Sequence, residues 1–445
     1  MRKSLRAQYS IYDIVNESAT SLELQSIADN LDEHPQILDV LAKDLIEEQK
    51  EQTGRPGLSV ESVFRCLLLK QQFSLTYESL AFYLNETPSY RRFAQLEQDQ
   101  FPSRSTLHSV IRQIQPETLE QVFKILAFEW AEDGTIATQV IRIDSTVVPS
   151  NIAPPSDSGL LNDAIRVLSR LLSRSKVTTG ISIKFNDKRK EAKSFFYQIF
   201  HGNYEKKQIL YGELIGCAYV VLDQVSRALT RVQLEGTKQV ETGKWINEVF
   251  HYRSLLQQVI DQTQRRVFND EKVPADEKII SLFEPHADII KKDNSGDTFY
   301  GHKVNLSTDV NGYITYCSIE NGNPADSNLY MPVIDGHESM YGEIPTTTVA
   351  DGGYASKANV EGAKDAGVKQ RAFHKSLGIG FHDMGIKDKT LQKLKNFRAG
   401  VEGNISELKR RFGLSKVTWK GIDGFHAYVW SSVLCYNLVR QARPG

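Results

Sequence analysis

Through the first 130 or so residues, apolar positions recur at helical spacing. Leu22, Leu24, Ile27, Leu31, Ile37, Leu38 and Leu41 make one such series, interrupted near Pro35. VESVFRCLLLKQQF predicts a further amphipathic helix. SLTYESLAFYLNETPSYRRFAQL predicts two short ones broken at Asn85–Pro88, and PSRSTLHSVIRQI begins with a helix-start signal at Pro102 and Ser103. Near residue 139 the period changes to two: Ile141, Ile143 and Val147 alternate with Arg142, Asp144 and Thr146, which predicts a strand. From 160 to about 275 helical spacing returns, with Leu161, Ile165, Leu168 and Leu172 on one stripe.

Strand character resumes at 298, and the Asn311-Gly312 pair between two β-rich runs predicts a hairpin. A helix is expected at 326–337, then the strand TTTVADG, a helix around 356–366, the strand VKQRAF, a basic helix at about 390–412 and a last helix in FHAYVWSSVLCYNLVRQA. This order fits a mixed α/β fold with a mixed sheet flanked by helices.

Composition adds limits. At 445 residues there is room for two or three domains, and 40% hydrophobic with 24% charged residues is ordinary for a globular chain. The net charge of −1 carries no overall polyanion signature. Locally, Lys387 to Lys420 holds ten Lys/Arg against three Asp/Glu, a strip suited to phosphates. The four cysteines, Cys66, Cys217, Cys317 and Cys435, have neither zinc nor disulfide spacing. No segment is read as reaching the ~18–20 apolar residues of a bilayer span, and MRKSLRAQYSIYDIV lacks the apolar core of a signal peptide.

Three acids stand where metal-dependent phosphoryl chemistry needs carboxylates: Asp144 in a strand, Asp351 at a strand end before Gly352-Gly353, and Glu402 on the basic helix. At about 100° per residue, Val401, Ile405, Leu408 and Phe412 form a narrow core-facing stripe. Arg398, Glu402 and Lys409 align beside it, at the rim of a cleft. The competing readings are a solvent-facing edge aspartate for Asp144, an Asp-Gly turn for Asp351 and an i,i+4 surface pair for Arg398–Glu402. Gly400 and Gly403 suggest either close approach of DNA or a broken helix.

Arg91, Arg92, Arg104 and Arg112 suit either a DNA-docking helix-turn-helix or a plain bundle with its arginines in water. His302 reads as structural or cleft-lining, Asp326 as a helix N-cap, Glu284/His286/Asp288 as a loose metal-like spacing, and Trp419 as core or a base-stacking platform.

These residues resemble the bacterial insertion-sequence transposases of the DDE type. The resemblance is carried by IDSTVV at Asp144, TVADGGYAS at Asp351 and Arg-x3-Glu-x6-Lys, met by Arg398, Glu402 and Lys409. YGHKVNLSTD, NGNPADSNLY and SDSGLLNDAIRVLSRLL are also similar, and the likeness runs over roughly 60–440. The tyrosine often found three residues before the arginine is Lys395 here, with Phe397 the nearest aromatic.

The resemblance implies an RNase H-like catalytic domain over 139–440, built on a five-stranded mixed sheet and interrupted by a helical insertion at 160–285. That insertion accounts for the 207 residues between Asp144 and Asp351 (351 − 144). Residues 1–130 would be a helical DNA-binding region. Asp144, Asp351 and Glu402 would hold two Mg²⁺, with Mn²⁺ able to substitute, while Arg398, Lys409, Arg91, Arg92 and Arg104 contact DNA. The implied activity is binding of terminal inverted repeats, end cleavage and strand transfer into target DNA. A homodimer in the bacterial cytoplasm, with no membrane partner, completes the expectation. A nuclease without strand transfer, or a non-catalytic DNA-binding descendant, are the alternatives.

Overall fold

The computed structural model describes residues 18–46, 57–202, 204–235, 240–291, 297–374, 378–380 and 382–443. The chain divides into two compact units, Met1–Asn151 with Gly301–Gly445, and Ile152–Tyr300.

The first unit opens with helices α1 (Ala19–Glu33), α2 (Gln36–Leu45), α3 (Val60–Gln72), α4 (Tyr77–Glu86), α5 (Pro88–Phe93), α6 (Arg104–Ile111) and α7 (Pro116–Glu132). Side chains of Ser18, Ser59, Thr76 and Ser103 cap four of them by accepting from the backbone N–H three residues on. Proline begins α5 and α7, where its missing N–H costs nothing. Every residue of α3 is buried, including Glu61, Arg65 and Lys70.

The sheet contains β1 (Val140–Pro149), β2 (Asp288–Lys291), β3 (Thr298–Thr308), β4 (Ile314–Ile319), β5 (Thr347–Ala350) and β6 (Gln370–Phe373), of which β2 and the first three residues of β3 fall in the second unit. The order is β2-β3-β1-β5-β6, with β4 pairing β3. Six strands stand where five are expected, the additional one being the four-residue β2 at the edge of the sheet. β1 runs antiparallel to β3 and parallel to β5, so the sheet is mixed.

Ile141 and Ile143 of β1 pack with Tyr330, Val333 and Ile334 of α12 (Tyr330–Tyr341) and Val360 of α13 (Lys357–Asp365). Arg142 points the other way, to α14 (Asp388–Arg411). It donates to the Phe397 carbonyl at 2.9 Å and to Asn404 Oδ1 at 3.1 Å. α14 is unbroken across both of its glycines. A Cβ on Gly400 would lie 1.9 Å from Arg142 Nη1, so that glycine accommodates an internal arginine and does not mark an approach of DNA. α15 (Ile422–Gln441) then returns into the core of α1, α3 and α7.

The second unit is a helical bundle of α8 (Asp157–Thr179), α9 (Arg189–His201), α10 (Tyr204–Glu235) and α11 (Val240–Val267). Leu161, Ile165, Leu168 and Leu172 of α8 face Ala218, Val221 and Val225 of α10 in its core. Contrary to the expectation that no segment suffices, Lys206–Glu235 is long and apolar enough to cross a membrane by length and composition. Leu214, Ile215, Ala218, Val221 and Val225 of this helix fill the bundle core, while Ile209, Val220 and Leu234 are exposed. Glu284 and His286 bond each other at 2.9 Å.

Candidate active site

Strand register decides what meets at the centre of the sheet. In the parallel β1–β5 ladder Ile143 pairs with Ala350. One step further along both strands come Asp144 and Asp351, so two residues 207 apart in sequence (351 − 144) are neighbours across the ladder. In register on parallel strands, their side chains leave the same face. It is the face Arg142 shares, the one covered by α14.

α14 supplies the third acid and the cation between them. Arg398 reaches Asp351 Oδ1 with Nη2 at 3.2 Å and Glu402 Oε1 with Nη1 at 2.9 Å. The arginine side chain is only 11% exposed while that of Glu402 is 66% exposed, so the cation lies inside and the glutamate at the rim. Val401, Leu408 and Phe412 are buried and Ile405 is partly so, which sets the rotation of the helix. Arg398 Nε is buried and has no hydrogen-bond partner among the described residues.

Asp144 accepts from the Ser145 N–H at 2.8 Å. Burial pushes its carboxyl up from an ordinary 3.8 to about 6. The Arg398 charge and the Ser145 N–H oppose that rise, and the negative charges of Asp351 and Asp326 add to it. Asp326 is a fourth acid that the sequence reading sets aside as an N-cap. The short turn Asp326–Leu329 has Ala325 in the cap position and no side-chain cap bond. Asp326 instead accepts from Ser145 Oγ and from Lys303 Nζ, each at 3.1 Å. The sequence signal available for it was its own motif, NGNPADSNLY, beside YGHK.

The other candidates are dispersed. Arg91 donates to the carbonyls of Glu97, Gln98 and Gln100 and lies 4.6 Å from the Phe101 ring, so it secures a loop within the helical region. Arg92 is half-buried. Arg104 is exposed in the first turn of α6. Arg112 covers Trp419 at 4.7 Å and donates to the Lys420 carbonyl, and Trp419 is core. His302 is buried with Nδ1 against the Glu320 carbonyl. Lys409 is half-buried two turns beyond Glu402 on α14.

Among the described residues, no three carboxylate, imidazole or thiol groups already stand as a cation cage. The donor chemistry nevertheless suits a hard divalent ion. Asp144, Asp351, Glu402 and Asp326 are four carboxylates served by two cations, Arg398 and Lys303. Burial raises the Asp144 carboxyl first and the neighbouring acids add to it, and a divalent ion beside it would favour the charged form.

A family model described as a transposase DDE domain matches residues 268–438, a span holding Asp351, Arg398, Glu402 and Lys409. A second, described as Transposase domain (DUF772), matches 18–113, from α1 through α6. No curated protein and no solved structure matches the chain. DDE domains have an RNase H-like fold, act on DNA and generally use divalent metal ions. With its mixed sheet, two aspartates adjacent across the β1–β5 ladder and two transposase matches, this chain belongs to the DDE transposases of insertion sequences.

Proposed function

We propose that this transposase binds the terminal inverted repeats of its element, cleaves the ends and joins them to target DNA. The observation that supports the reading most is the one-step continuation of the β1–β5 ladder, which sets Asp144 beside Asp351 with Glu402 tied to the same guanidinium.

Asp144, Asp351 and Glu402 are assigned to two Mg²⁺, or Mn²⁺ in their place. Held by these carboxylates, such ions would activate an attacking water or 3′-hydroxyl and would stabilise charge on the leaving oxygen. The chain's own residues prepare this. β1 holds one carboxylate in mid-strand and β5 the other just past its end, on rigid elements where placement is precise. Arg398 orients Asp351 and Glu402 and keeps their repulsion down until cations arrive. Glu402, exposed on its helix, has room to turn inward. The basic run from Lys387 to Lys420 follows the phosphates, apart from Arg398, held by Asp351 and Glu402, and Arg411, engaged by Glu23 at 3.1 Å. Arg104, at the open end of α6, is the best placed of the N-terminal arginines to meet DNA. Two copies synapsing two ends, in the bacterial cytoplasm and nucleoid, complete the proposal.

The test is cleavage and joining by Asp144→Asn, Asp351→Asn and Glu402→Gln. Each is expected to lose at least about a thousandfold in end cleavage, with end binding in a gel shift unchanged. Robust strand transfer by any one of them removes that residue from the site. Pre-cleaved ends offered with a target plasmid separate a transposase, which joins them, from a nuclease, which does not.

A further inference from the structure

Lys303, Asp326 and Gly353 are given no role by that reading, yet the fold brings them to one point. Asp326 Oδ1 accepts from Ser145 Oγ and from Lys303 Nζ, each at 3.1 Å. Lys303 Nζ also donates to the Pro324 carbonyl at 2.6 Å, which fastens the loop carrying Asp326. Lys303 stands opposite Val147 in the β1–β3 ladder, so this cation comes from the strand beside the one that bears Asp144.

The third member touches through its backbone. A Cβ on Gly353 would lie 2.9 Å from Asp326 Oδ2, so the chain leaving Asp351 passes directly against this carboxylate. Asp326 therefore meets the residue that follows Asp144 and the second residue that follows Asp351. A parallel bond set reinforces the junction. Asn305 donates to the Leu329 carbonyl at 3.2 Å and accepts from the Tyr354 hydroxyl at 2.8 Å. That couples the turn begun by Asp326 to the residue after Gly353.

We propose that Lys303 and Asp326 form a clasp that fixes the separation of Asp144 and Asp351, acting as positioning residues for cation binding and DNA cleavage. The inference rests on the assignment of Asp144 and Asp351 to the cations. Lys303 holds Asp326 by charge, Asp326 holds the segment after Asp144 by a hydroxyl, and Gly353 lets the segment after Asp351 come close enough to be held too. Removing partners of this kind costs metal sites about 10- to 100-fold in affinity or activity.

The experiment uses the full chain with Asp326→Asn, Asp326→Ala, Lys303→Met and the Lys303→Met/Asp326→Asn pair. Mn²⁺ binding is measured by calorimetry without DNA, and cleavage of labelled element ends by steady-state kinetics. Mn²⁺ affinity and kcat are both expected to fall about 10- to 100-fold in the single variants, with KM for the DNA ends unchanged. The double variant is expected to be no worse than the poorer single one, as for two parts of one device. Lys303→Arg is expected to restore part of the loss.

Wild-type Mn²⁺ affinity and kcat in Asp326→Asn and Lys303→Met, or losses that multiply in the double variant, overturn the clasp. So does a fall in melting temperature alone. Asp326→Asn keeps the side chain's shape, so it carries the test where the alanine variant does not fold. Asp144→Asn is run alongside. If it too binds Mn²⁺ and cleaves normally, the cation assignment is what fails. If it is inert while the Asp326 and Lys303 variants behave as wild type, only the clasp fails.

Discussion

Two buried arginines, each between two acids, show how differently the same ingredients are finished. In the helical region Arg65 binds Asp32 and Glu61 through Nη2 at 2.5 and 2.8 Å, gives Nε to Glu61 at 2.9 Å and turns Nη1 to the Phe93 carbonyl. Gln95 adds a further bond to Glu61 at 2.6 Å. Near the sheet ends Arg398 binds Asp351 and Glu402, but its Nε is left over, and Asp144 and Asp326 stand by as further negative charge. The first cluster uses its donors up, while the second leaves a buried donor without a partner among the described residues, as an unfilled ligand site would.

Removing each arginine sharpens the contrast most. Arg65→Met strands Glu61 inside the core and is expected to cost about 3–5 kcal/mol, read by urea unfolding. Arg398→Met leaves a rim glutamate and a half-exposed aspartate and is expected to cost less than about 1 kcal/mol. Equal losses would erase the distinction between the two clusters.

Next in size is the pH response of Asp144. Its carboxyl titrates near 6 in the fold and near 3.8 when unfolded. As pH rises between those values the unfolded chain gives up the proton first, so the fold loses stability across that window and carries the full penalty above it. Asp144→Asn is therefore expected to be more stable than wild type by up to about 3 kcal/mol at pH 8 in chelator, and equal to it below pH 4 (about the ordinary carboxylate value). Thermal melts at the two pH values check this. A variant no more stable at pH 8 would mean that Asp144 is as well satisfied as Arg65.

A last comparison concerns Arg142, which is buried. Gly400→Ala drives a methyl onto Arg142 and is expected to cost about 1–3 kcal/mol, measured by denaturant melts. No cost would show that Arg142 is as loosely held as Arg398.

The sequence made the two aspartates and the basic helix readable because each sits at an element's end or on a periodic face. Asp144 interrupts a strand alternation, Asp351 ends one, and the Val401–Phe412 stripe fixes how α14 rolls. What pattern cannot carry is partnership. Arg91 looks like any surface arginine, and only the folded loop shows that its donors go to backbone carbonyls. Asp326 matches an N-cap by position, yet the cation that claims it arrives from a strand 23 residues earlier. Gly400 was ambiguous for the same reason, since its neighbour Arg142 lies 258 positions upstream (400 − 142).

The core that α15 shares with α1, α3 and α7 has a bearing on biosynthesis. Trp430 near the end of the chain lies 5.3 Å from Phe123, and Gln71 of α3 hydrogen-bonds Ser432. While the ribosome is still working through the middle of the message, the early helices have no last layer to close on. The nascent product stays without its finished interior until residue 441 or so has emerged from the exit tunnel.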